Sequence, residues 1–88
     1  MVVQERYSPI PVAANSTVEI SGNAIGLFVC TTSGTLTVVS NAYDGKPTQT
    51  IVNALTVTAG SIYPLPFFLG SNGGTVTTAG GAVGTVGV

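Results

Sequence analysis

"IGLFVCTTSGTLTVVS", residues 25–40, carries the clearest strand signature in the chain. Valine, threonine, leucine and phenylalanine fill it, and one Ser-Gly pair divides it into two runs. Such residues suit a pleated, half-buried surface and give a helix nothing to stabilise it. With Ser33-Gly34 as the two-residue loop of a hairpin, the glycine supplies a positive φ. Thr31 then faces Leu36, Val29 faces Val38, and Leu27 faces Ser40. Leu27, Val29, Leu36 and Val38 share one face, the expected core. Phe28, Cys30, Thr35, Thr37 and Val39 share the other. That mixed face is the kind a second layer or a neighbouring subunit covers.

The same grammar extends in both directions. "TVEI" (17–20) reads as a short strand, and "TIVNALTVT" (50–58) as one strand or two with a kink at Asn53. "AG" turns it into "SIYPLPFFL" (61–69). "TVTTA" and "AVGTVGV" flank Gly80-Gly81 as a terminal hairpin, with Gly84 and Gly87 at bulge or close-packing positions. "NAYDGKPTQ" (41–49) is a loop built on Asp44-Gly45 and Lys46-Pro47. Residues 1–15 read as an N-terminal arm, because Pro9 and Pro11 forbid a helix and "AANS" is a polar break. The expectation is an all-β chain with no helix: an arm, then one domain over 16–88. About seven short strands with turns every 8 to 12 residues predict a small antiparallel β-sandwich or jelly-roll-like barrel.

Two segments need separate treatment. "YPLPF" (63–67) and "SPIPV" (8–12) each place prolines at i and i+2. Along a strand, N–H groups at i and i+2 point the same lateral way. Pro64 and Pro66 therefore strip donors from one side only, while Tyr63, Leu65 and Phe67 can still pair on the other. Pro9 and Pro11 do the same for their segment. Both segments are expected to be edge strands, blunted against unwanted β-pairing.

Charge explains why edges need guarding. The 88 residues hold two Lys or Arg and three Asp or Glu, 6% of the chain, for a net charge of −1. Ordinary soluble domains carry about 25%. A chain this small hides only about 60–65% of its unfolded surface, so its core is thin. Cys30 is the single cysteine, which excludes an internal disulfide. There is no histidine, and one thiol does not hold zinc. Oligomerisation is the remaining route to stability, and the composition points to a protein of assemblies.

The same counts exclude most chemistry. Plentiful hydroxyls lack a histidine base, and Glu5, Glu19 and Asp44 are too few and scattered for paired acid–base work or for calcium. No enzyme activity, cofactor or metal is expected. Asp44 reads as a turn residue and Cys30 as a small buried hydrophobe. "GGTVTTAGGAVG" (73–84) lacks the helix and lysine of a phosphate loop, so its glycines read as turn residues. Two basic residues give no nucleic-acid patch. No apolar run spans a membrane, and "MVVQERYSPIP" is not a signal peptide. Candidate protein contacts are Tyr7, Tyr43 and Tyr63, with Pro9 and Pro11 of the arm. The Tyr43–Lys46 loop adds Asp44 and Lys46, combining charge, an aromatic ring and turn rigidity.

Over roughly residues 25–88, "ALTVTAGSIYPLPF" included, the chain resembles small structural proteins of tailed-phage virions, the capsid-decoration and head spike-base group. "LFVCTTSGTLTVV" (27–39) matches that group's aliphatic-x-V–turn–G-x-L-x-V phrase. "VTAGSIYPL" (57–65) matches its V-x-A-G-x-x-x-P-L phrase, and "TVTTAGGAVGTVGV" (75–88) its glycine- and threonine-rich end. The loop at 44–48, Pro66 and the arm lie outside the pattern. The resemblance implies a β-rich fold, a place in a virion lattice or vertex, symmetric assembly, and no catalytic residues. The leading expectation is a capsid decoration or cement protein on the virion surface, made in the host cytoplasm. Its partners would be the major capsid protein and itself, as a homotrimer. A vertex spike-base, head-fibre or tail-adaptor subunit is the alternative. A carbohydrate- or receptor-binding module ranks below both, because the chain has no tryptophan and only 7% aromatics.

Overall fold

The computed structural model describes residues 9–20, 24–42, 45–69 and 72–88. They form eight strands: β1 (Pro9–Val12), β2 (Thr17–Ile20), β3 (Ala24–Thr32), β4 (Gly34–Ser40), β5 (Gln49–Val57), β6 (Ile62–Phe68), β7 (Gly74–Ala79) and β8 (Val83–Gly87). There is no helix among the described residues. Sheet 1 has the order β1-β8-β3-β6 and sheet 2 the order β2-β7-β4-β5. Every pairing is antiparallel. The fold is therefore the expected antiparallel β-sandwich, and its strand order is that of a jelly roll. Its principal extents are 37 × 35 × 16 Å, a flat slab two sheets thick.

Both expected hairpins are corrected. β3 and β4 lie in different sheets, and so do β7 and β8. Each pair is an arch that carries the chain across the core. Ser33 alone separates β3 from β4, and Gly34 does not adopt a positive φ. What Gly34 supplies is closeness. A Cβ there would collide with the backbone of Ala79 and Ala82, at the turn of the β7–β8 arch. The two arches nest only because that position has no side chain.

The arch also exchanges the expected core face of β3. Phe28 and Cys30 point inward, 0% and 1% exposed, whereas Leu27 and Val29 are only half-buried on the outside. Leu36 and Val38 of β4 are buried as expected. Cys30 is a buried free thiol whose Sγ donates to Thr32 O at 3.1 Å.

The core lies between two cross-strand rows. In sheet 1 the inner row is Ile10, Val86, Phe28 and Tyr63. In sheet 2 it is Val18, Val76, Val38 and Val52, four valines across four strands. Branched side chains in such rows pack well on a pleated surface. The Phe28 ring occupies the space above Gly84, where a Cβ would meet its ring atoms.

A buried threonine ties the β1–β2 connection to the body. Thr78 is 1% exposed; its Oγ1 donates to Ala13 O at 2.6 Å, and its N–H donates to Ser16 O at 2.9 Å. Ser16 N–H in turn donates to Thr78 Oγ1 at 3.2 Å. At the same end Gly81 N–H donates to Oδ1 of Asn15, a residue at φ 50.

Candidate contact surfaces

A small sandwich meets partners through its edges, its faces or its loops. The four edges are β1 and β6 in sheet 1, and β2 and β5 in sheet 2. The two Pro-x-Pro segments are thus the two edges of one sheet, as the proline geometry predicts. Cys30 N–H donates to Ser61 O at 2.9 Å, on the β6 side. Alternation then turns the N–H groups of Leu27 and Val29 toward β8. Leu27 pairs with Gly87 and Val29 with Thr85, while Phe28 pairs with Tyr63. Carried outward through the register, the N–H groups of Ile10, Val12 and Tyr63 point into the sheet. The nitrogens of Pro9, Pro11 and Pro64 point to the free edges.

Pro66 has a different position. Between Leu27↔Pro64 and Ile25↔Phe67, β6 holds one residue more than β3. Pro66 lies in that bulge, another place where a strand accepts proline.

The edges of sheet 2 are limited by other means. β2 has four residues and displays Glu19. β5 is long, but its register against β4 shifts twice, and Ala54 within it has φ 51. Short edges, charge, proline and bulges each discourage strand addition.

The outer faces differ in chemistry. On sheet 1, register places Pro9, Gly87, Leu27 and Pro64 in one row and Pro11, Thr85, Val29 and Ile62 in the next. Pro9, Pro11 and Pro64 are exposed, and Ile62 is 62% exposed. No charged residue stands in either row. On sheet 2 the outer rows are Thr17, Thr77 and Thr37, then Glu19, Thr75, Val39 and Thr50. Thr17 Oγ1 and Thr77 Oγ1 are hydrogen-bonded at 2.9 Å, and Thr37 Oγ1 accepts from Ala54 N–H at 3.1 Å.

The remaining candidate contacts fall as follows. Tyr7, Tyr43 and Asp44 lie outside the described residues. Lys46 is exposed in the β4–β5 connection. Tyr63 is half-buried, packs against the core, and its hydroxyl accepts from Thr58 N–H at 2.8 Å. It braces the turn between β5 and β6. The sequence did not reveal a clasp between two loops: Asn41 Nδ2 donates to Asn72 O at 3.0 Å and Asn72 Nδ2 donates to Ala42 O at 2.8 Å. Nor did it reveal the apolar rows of sheet 1, which exist only through pairing of distant strands.

Among the described residues no group of three His, Cys, Asp or Glu side chains is placed to hold a metal. No buried side-chain polar atom among them lacks a partner. Comparison with protein-family models, curated proteins and solved structures finds no match.

Proposed function

We propose that this chain is a non-enzymatic structural protein of a virion, a decoration or cement subunit that binds across neighbouring major capsid proteins. It acts through contact area rather than chemistry, and self-associates as a homotrimer. The observation that carries this reading is the pairing of blunted edges with an uncharged apolar face on one sheet of a thin slab. A free monomer gains nothing from that surface; a subunit laid against a lattice covers it. Many such contacts, each weak, hold a shell through multivalency. Jelly rolls occur in viral capsid proteins and also in lectins, which supports the reading only as analogy.

The test is co-purification with intact heads. A decoration role predicts stoichiometric copies per capsid lattice unit and lower thermal or chemical resistance of heads that lack it. A few copies per particle would favour the spike-base, head-fibre or tail-adaptor alternative. Absence from purified particles would contradict both.

A further inference from the structure

Asn72-Gly73 is the single Asn-Gly step in the chain; Asn15, Asn23, Asn41 and Asn53 each precede serine or alanine. We propose that Asn72 is a site of spontaneous deamidation, with water as the co-reactant. The clasp between the two loops sets the rate, and the product destroys the clasp. The reaction needs no partner and is independent of the assembly role.

The step begins when solvent base takes the proton from the Gly73 backbone nitrogen. That nitrogen attacks Asn72 Cγ. A new N–Cγ bond forms, the Cγ–Nδ2 bond breaks, and Nδ2 leaves as ammonia after taking a proton from water. Water then opens the resulting succinimide at either carbonyl, giving aspartate or isoaspartate. The net change is asparagine plus water to an acid plus ammonia, with nothing oxidised or reduced.

Three observations place this chemistry at Asn72. The first is the following residue. Gly73 has no Cβ to crowd its nitrogen, and its φ of 69 belongs to the region that glycine enters freely. The second is access. Asn72 is exposed, so water reaches its side chain, but Gly73 is buried, so base reaches its nitrogen only when the loop opens. The third is the clasp that holds the loop shut. Asn41 N–H donates to Gly73 O at 3.0 Å, Asn41 Nδ2 to Asn72 O at 3.0 Å, and Asn72 Nδ2 to Ala42 O at 2.8 Å. The departing nitrogen is thus itself a member of the clasp.

The product cannot rebuild it. A carboxylate oxygen in place of Nδ2 faces the Ala42 carbonyl, acceptor against acceptor. It adds a negative charge to a chain whose net charge is −1. Isoaspartate also routes the main chain through an extra carbon just before β7, where Ser40 pairs with Gly74. The β4–β7 ladder therefore loses its tie at that end, and the change runs one way.

The experiment incubates the purified chain at mildly alkaline pH and follows it by peptide mass mapping with isoaspartate detection. The mass gain of an amide-to-acid change should collect at Asn72, faster at higher pH, while the other asparagines stay intact. Asn72→Gln, which closes a ring far less readily, should abolish it. Asn41→Ala removes the side-chain half of the clasp from the opposite loop and should speed the reaction several-fold. Asn72→Asp supplies the product directly and should lower the thermal midpoint by roughly 4–8 °C, the shift expected for one lost hydrogen bond in a domain this size. An intact Asn72, or equal conversion at the other asparagines, would overturn the site. An unchanged rate in folded Asn41→Ala, checked by circular dichroism, would overturn the control by the clasp. An unchanged midpoint in Asn72→Asp would overturn its structural consequence.

Discussion

Strand β8 in sheet 1 and strand β7 in sheet 2 are neighbours in sequence with opposite surroundings. Both line the core with valine: Val86 and Val76 are each fully buried. Outward they diverge. Thr85 of β8 stands in a row with Pro11, Val29 and Ile62, while Thr77 of β7 stands with Thr17 and Thr37. The same residue type is an isolated hydroxyl in an apolar face in one sheet and part of a hydroxyl array in the other. The edges diverge in parallel: proline closes both sides of sheet 1, whereas a short charged strand and an irregular one close sheet 2. In a chain with five charges, side-chain rows and edge chemistry, rather than electrostatic repulsion, are the features that distinguish one surface from another.

The comparison can be broken most severely at the interior. Gly84→Val would drive a side chain into the Phe28 ring and displace the centre of sheet 1. The expected loss is about 2–4 kcal/mol, read by urea unfolding, within the range of overpacked or disrupted cores. Thr85→Val, one residue on and facing outward, should leave stability nearly unchanged. Next in size is a contrast within β7. Thr78→Val removes the hydroxyl bonded to Ala13 O and Ser16 N–H, and should cost about 1–3 kcal/mol. Thr77→Val, on the outer face, should shift stability by no more than about 0.5 kcal/mol. Equal effects at 77 and 78 would contradict the division into a structural inner hydroxyl and a surface outer one. The smallest effect on folding is expected for Ile62→Thr, which gives sheet 1 the chemistry of sheet 2. Its thermal midpoint should barely move, while its retention on a hydrophobic-interaction column should fall.

Those contrasts also show which parts of the molecule were legible in the sequence. The sandwich was readable because threonine, valine and regularly spaced turns are local signals. The edge positions were readable because the lateral direction of a proline nitrogen follows from strand geometry alone. The arches were not. Ser33-Gly34 is compatible with a hairpin or with a crossing between sheets, and the close packing of Gly34 that accompanies the crossing is against Ala79 and Ala82, more than forty residues away. The inward face of β3 was exchanged for the same reason. The Thr78 clamp and the apolar rows depend on partners as distant in sequence as Ala13 and Pro9, and a single sequence contains no register between such segments.

Sedimentation velocity gives the decisive test of whether proline limits this chain's association to chosen surfaces. The variant to compare with the unaltered chain at equal concentration carries Pro9→Val, Pro11→Val and Pro64→Val. Each change restores an N–H at a free edge of sheet 1, and Pro66 is left in its bulge. The variant is expected to sediment as large, β-rich, polydisperse species while the unaltered chain keeps its discrete state. Identical sedimentation profiles for the two proteins would contradict it.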